Sequence, residues 1–432
     1  MTKYLHQIWN SPDLRKKILF TLFAIVIFRI LSQVSIPGAN LDAIRGIFNR
    51  NQLLGAFNVL TGGSAENFSI ILMGLSPYIN ASIIIQLLTV IIPSWDNLKH
   101  EGEMGQRKLT KWTRWLAVPL ALLQSYGTII LLNTQSQVAI IQDIKNASVI
   151  IPVMLTITTG TMLLMWLGEL ISEKGIGNGI SILIFAGIIR NLPGSIGQNL
   201  LVAGQDTEKL IAFVLILLMT VILSVIVILI TEGQRLIPIT YAGRGVKTTG
   251  SEDASLPIRI NQAGMVPIIF AFAIISFPVI ISQFLQAAKT EWLRNVAKWI
   301  IENFTTHSLL YICIYFLLNI VFTFFYVSIT FNPAEVAENI QKRGGYVPGI
   351  RPGTQTAEYL SKVSNHLNLF GGVFIGLIAV IPMLYQKFFP GSIGSLQTLL
   401  SGAGMIIVVG VVLDLIRQVN AQLIMHDYKK FY

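Results

Sequence analysis

The residues of this chain that resemble a catalytic set are few, and their spacing is wrong for it. His100-Glu101-Gly102-Glu103 looks like the start of a zinc-protease helix, but the second histidine needed one turn later is missing. Gly175-Ile176-Gly177-Asn178-Gly179 has the glycine density of a dinucleotide loop, yet it joins two apolar segments rather than a strand and a helix. It reads as a tight turn that lets the next segment start abruptly. No Gly-x-Ser-x-Gly elbow and no Gly-x-x-x-x-Gly-Lys-Ser/Thr phosphate loop occurs. Cys313 is the single cysteine and lies inside an apolar run, which excludes a disulfide and a cysteine-based metal site. The reading is of a chain that does no covalent chemistry, hydrolyses no nucleotide, and needs no cofactor or metal.

The elements around these residues explain why. Of 432 residues, 53% are hydrophobic and 12% charged. A soluble domain carries roughly a quarter charged residues, so this surface is too apolar for water. The apolar residues fall into ten segments, many of about twenty residues, the length of a bilayer-crossing helix. They run Ile18–Ile36, Phe68–Ile92, Trp115–Leu132, Val149–Ile171, Ile180–Leu192, Leu210–Ile230, Met265–Phe284, Leu309–Phe331, Leu369–Leu384 and Ala403–Ile416. The first is too long for a signal peptide's apolar region and lacks a cleavage site, so it is read as a retained span. The net charge of +10 then reflects topology rather than nucleic-acid binding. Alternate connecting segments hold 21 Lys plus Arg against 9, with Arg190 at the end of span five counted among the 9, which places both termini in the cytoplasm.

The expected fold is an all-α polytopic membrane protein of ten transmembrane helices, in two inverted five-helix halves around a central pore. The halves are 1–200 and 201–432. Gly74-Leu-Ser-Pro77 and Gly264-Met-Val-Pro267 open spans two and seven with the same spacing, and the short spans five and ten both follow glycine pairs. Five is odd, so the second copy enters upside down, as in many transport proteins. The spans hold few ionisable groups. Arg29, Glu169 and Asp414 lie near span ends and read as snorkelling or capping residues, which disfavours an ion-coupled transporter. Before span two, Asn51–Leu60 is apolar at helical spacing but too short to cross. It is either a re-entrant stopper within protein or an amphipathic piece on the outer surface.

Three strings carry a resemblance. Pro77-Tyr-Ile-Asn-Ala-Ser-Ile-Ile-Ile-Gln-Leu-Leu-Thr89 is similar to the second span of the SecY family, the central subunits of the Sec protein-conducting channel. So are Thr159–Glu169 running into Gly175–Ser181, and Phe331-Asn-Pro-Ala-Glu335 followed by Tyr346-Val-Pro-Gly-Ile-Arg-Pro-Gly353. The resemblance implies a passive channel that passes unfolded polypeptides across the membrane and releases membrane segments sideways into lipid. A small-solute transporter is the alternative from another class, and an intramembrane enzyme a third.

The resemblance also implies residue roles. The pore ring maps to Leu75, Ile79, Ile180, Ile184, Ile269 and Ile407. A branched apolar collar of this kind dewets and blocks ions yet deforms around a polypeptide. Segment 51–66 becomes the plug, with Leu53, Leu54, Phe57 and Leu60 facing the collar and Gly62 and Gly63 as hinge. Asn80, Ser82 and Gln86 with Phe277 and Ile281 fall at the lateral gate, where interhelical hydrogen bonds of the order of 1 kcal/mol would hold the seam. Cytoplasmic loops 232–260 and 332–366 would dock the SecA ATPase or a ribosome through Arg351, Arg244 and Lys247. The first of these loops is less basic than the family usually has. Further implied partners are SecE and SecG subunits, signal peptides, nascent membrane proteins and the lipid bilayer. The implied location is the cell inner (plasma) membrane, or the thylakoid membrane for a plastid chain.

Overall fold

The computed structural model describes residues 11–41, 43–44, 46, 63–135, 140–141, 146–203, 207–241, 255–286, 290–304, 308–388 and 402–430. Each of the ten apolar segments overlaps one helix. These are α1 (Pro12–Leu31), α2 (Ser76–Ile91), α4 (Glu103–Gln135), α5 (Ala147–Lys174), α6 (Gly179–Ala203), α7 (Thr207–Glu232), α8 (Val266–Gln286), α10 (Leu309–Thr330), α12 (Thr354–Phe388) and α13 (Gly402–Lys430). Three shorter helices intervene: α3 (Pro93–His100), α9 (Glu291–Asn303) and α11 (Pro333–Lys342). Among the described residues, six helices (α4, α5, α7, α10, α12 and α13) are long and apolar enough to cross a membrane. Helix α2 and the first parts of α6 and α8 are apolar but shorter. Helix α1 is continuous, but Lys16, Lys17 and Arg29 limit its apolar run.

Several boundaries differ from those read in the sequence, each for a physical reason. Residues 63–75 are a chain of turns, and α2 begins only at Ser76, where Pro77 supplies a fixed φ in the first turn. The turns are held by Ile36 and Ile70 amides donating to the Phe68 and Val34 carbonyls at 2.9 and 3.0 Å. Phe68 is fully buried and takes φ +42°, so burial outweighs a backbone cost. Helices α4 and α12 start well before their apolar runs, at charged and polar residues that hydropathy alone excludes. Spans five and ten, short by hydropathy, belong to helices of 25 and 29 residues.

Helix pairings recur between the two sets of five. Helix α1 packs on α6 as α7 packs on α13, α2 on α4 as α8 on α10, α4 on α5 as α10 on α12, and α5 on α6 as α12 on α13. The sets meet along two seams, α6 against α7 and α13, and α8 against α2 and α4. One face of the bundle carries short strands. Strand β1 (Gln234–Pro238) pairs antiparallel with β3 (Ser255–Arg259), and β2 (Thr240–Tyr241) with β4 (Gly345–Tyr346). The second pairing ties the segment after α7 to the one after α11. Ile237, Ile258, Ala337, Val347, Leu360 and Val363 form the small core beneath these strands.

Candidate functional site

The six positions expected for the collar come from α2 and its N-cap, α6, α8 and α13, more than 300 residues apart at the extremes. They meet in one apolar cluster. Leu75, Ile184 and Ile407 are buried, and Ile79, Ile180 and Ile269 pack against them half-buried. The cluster continues into Phe28 of α1 and Leu164, Leu167 and Ile171 of α5, which back the collar from behind.

The glycine turn before α6 places two of these residues. Gly177 takes φ +83°, and a Cβ on Gly179 would run into the Gly168 carbonyl, so α5 and α6 approach as closely as backbones allow. Asn178 caps α6 by accepting from the Ile180 and Ser181 amides at 3.1 and 3.3 Å. The Gly177 amide donates to Gln418 of α13 at 2.7 Å, linking the turn to the helix that carries Ile407. The turn is the abrupt helix start its sequence suggested.

Leu53, Leu54, Phe57, Leu60 and Gly62 lie outside the described residues. Gly63 is described, with φ +74°, and a Cβ there would collide with the guanidinium of Arg190 on α6. Glu66 lies within electrostatic range of that arginine. Sequence reasoning passed over Arg190, although an arginine in an otherwise apolar helix was signal enough. Beyond Gly63 the chain is anchored: the Ser64 hydroxyl donates to the Ile71 carbonyl at 3.0 Å, and Asn67 donates to Gln33 at 3.1 Å. Gly63 therefore borders a fixed segment on its C-terminal side.

Helices α2 and α8, on which the expected gate residues lie, are in contact. Ile79, Ile83 and Leu87 of α2 lie in one cluster with Phe270, Ala271 and Ile275 of α8. The Ser82 hydroxyl turns back to its own helix, donating to the Ile79 carbonyl at 2.9 Å. Asn80 is buried with its side-chain oxygen unpartnered among the described residues. Gln86 and Phe277 are half-buried, and Ile281 points outward, about half exposed. Among the described residues this seam is lined by apolar contacts, and the Ser82 hydroxyl satisfies itself on the preceding turn of its own helix.

Of the ionisable residues near span ends, Glu169 and Asp414 are in ion pairs. Glu169 accepts from Arg114 of α4 at 2.7 Å, an inter-helix ion pair rather than a cap. Arg417 bridges Asp414 at 3.4 Å and Glu232 of α7 at 2.6 Å. Arg29 sits in the last turn of α1, where a cation suits the helix's negative end. Arg351 is exposed between Gly349 and Gly353, whose φ values of +80° and +98° no other residue adopts cheaply. Thr356 donates to the Arg351 carbonyl at 2.9 Å, so the turn is braced from α12. Arg244 and Lys247 lie outside the described residues.

The SecY family model matches residues 69–416, which includes every described collar position. The chain belongs to the SecY family. It is 40% identical to the protein translocase subunit SecY of Corynebacterium glutamicum and 38% identical to that of Mycobacterium tuberculosis, each over 98% of both chains. A solved protein-conducting channel superposes with a TM-score of 0.65 over 94% of this chain and 92% of that one, at 17% identity. Canine Sec61 in a ribosome–channel complex superposes with a TM-score of 0.61 over the same shares, also at 17% identity. At such identities these two structures establish the fold, which they share with this SecY-family chain.

Proposed function

We propose that this chain is the pore subunit of a protein-conducting channel, passing unfolded, signal-bearing polypeptides across a membrane and releasing apolar segments into lipid. The observation that carries this is the convergence of Leu75, Ile79, Ile180, Ile184, Ile269 and Ile407 in one apolar cluster at the meeting of the two helix sets. An aliphatic constriction has no site for a solute or ion to bind, and it excludes water at little cost. A polypeptide pushes branched side chains aside, and they close again behind it. Membership of the SecY family supports the same reading, and nothing supports the solute-transporter alternative.

Further roles follow from this reading. The recurring helix pairings support two inverted halves, 1–200 and 201–432. Segment 51–66 plugs the outer side, with Gly62 and Gly63 as its hinge. The α2–α8 seam is the lateral gate. The strand-bearing face is cytoplasmic, and Arg351 on its braced turn docks the SecA motor or a ribosome. SecE- and SecG-type subunits complete the complex in the plasma membrane, with both termini inside. The deciding test is ionic conductance of proteoliposomes holding the Ile79→Ser, Ile184→Ser, Ile407→Ser triple variant. Leakage at rest is the expected result, and a wild-type seal in folded protein would overturn the collar.

A further inference from the structure

Helix α9 (Glu291–Asn303) is not used by the pore, the seam or the docking face. By chain continuity it links the far end of α8 to the start of α10. The near end of α8 follows β3, and the far end of α10 leads into α11 and β4. So α9 lies at the bundle face opposite the strands, where two helices of the membrane region end. It is amphipathic in three sectors rather than two. Leu293, Val296, Ala297 and Ile300 face inward, with Ala297 fully buried, and α9 packs along α8. Arg294, Lys298, Glu291 and Glu302 are exposed on the polar sector. Trp292 and Trp299, two turns apart on one side of the inward sector, are 69% and 54% exposed.

Two large indoles standing free on one flank would be an aggregation hazard in water. Their neighbourhood points to what covers them. On α10, which follows α9 directly, Leu310, Leu317 and Val321 form an exposed apolar stripe of the kind a membrane-crossing helix presents to lipid. Tryptophan prefers the boundary between headgroups and acyl chains, because its ring is apolar and its N–H needs a polar partner. Arg294 and Lys298 on the adjoining polar sector can reach headgroup phosphates, and Glu291 and Glu302 leave the sector without net charge.

We propose that α9 is a membrane-interface helix, seated parallel to the bilayer at the face opposite the strands, with Trp292 and Trp299 in the headgroup–acyl boundary. Because α9 packs on α8, it ties one wall of the α2–α8 seam to the depth of that lipid boundary. The inference rests on the chain spanning a bilayer and not on what passes through it.

The test uses the full chain in lipid nanodiscs. Trp9, Trp95, Trp112, Trp115 and Trp166 are replaced by Phe, leaving Trp292 and Trp299 as the only indoles. Lipids brominated near the headgroup end of the acyl chain should quench this emission more than lipids brominated near the methyl end, and aqueous iodide should quench it weakly. Strong iodide quenching with little effect of either brominated lipid would overturn the proposal, as would stronger quenching by the deep bromines. If the five-fold variant does not fold, wild type and Trp292→Phe/Trp299→Phe are compared and the same quenching is read by difference. No loss of bromolipid quenching between those two proteins would overturn the proposal equally.

Discussion

On the proposed reading of the α2–α8 seam as the lateral gate, Asn80 offers a direct way to shift the balance between its closed and open forms. It is 5% exposed, and its side-chain oxygen has no partner among the described residues, in a stretch of α2 otherwise sealed by Ile79 and Ile83. A buried, unsatisfied carbonyl costs about 1–3 kcal/mol, and the cost disappears when opening lets water or a signal segment reach it. Asn80→Leu removes that penalty from the closed state alone. The closed form should then gain about 1–3 kcal/mol, a shift of about 5- to 150-fold in the opening equilibrium. The assay is translocation into proteoliposomes of one reporter carrying signal peptides of graded hydrophobicity. Weak signals should lose most of their export, whereas strong signals, whose differential binding exceeds the added gap, should lose little. A thermal scan checks that leucine fits, since a lowered Tm would indicate overpacking; Asn80→Ala, which cannot overpack, is then the variant to measure. Unchanged or improved export of weak signals by a folded variant would refute the argument that the orphaned oxygen biases the seam toward opening.

Three other outcomes are expected. Arg351→Glu should abolish SecA-driven translocation with normal expression and membrane insertion, because the side chain is exposed on a turn whose shape Gly349, Gly353 and Thr356 maintain without it; translocation and membrane extraction assays check both halves of that statement. Deleting residues 53–60 should raise ion leakage and admit a reporter with a crippled signal peptide, and equal rejection by the deletion and the parent would remove the plug assignment. Gly179→Val should lower stability by about 1–3 kcal/mol or more, since its side chain must displace the Gly168 carbonyl and Ile171, and thermal unfolding in detergent measures the loss.

Much of the architecture was legible from hydropathy, because every span must satisfy its backbone internally and present apolar side chains to lipid. That requirement acts on each segment separately, so the ten helices fall where the apolar runs fall. Local turn chemistry was equally readable: Gly177 and Gly179 before α6, Pro77 at the start of α2, and the glycines flanking Arg351 all act within a few residues. The ends of the helices were not, since polar turns of α4 and α12 continue the helix beyond the apolar run, where they pack against α3 and α11, contacts that hydropathy ignores. Nor did the apolar pattern say that residues 63–75 would fold as turns around Phe68, which only the pocket between neighbouring helices makes worthwhile. The collar shows the division most clearly. Isoleucine in a membrane helix is ordinarily lipid-facing or packing, and nothing in Ile79, Ile184 or Ile407 alone distinguishes them. Family resemblance named them, but only the crossing of α2, α6, α8 and α13 brings them together. The same holds for Glu169 with Arg114, for Gly63 against Arg190, and for the apolar seal between α2 and α8. Each depends on which helix faces meet, and those faces are decided by the simultaneous packing of all the helices, a long-range property that no single segment carries.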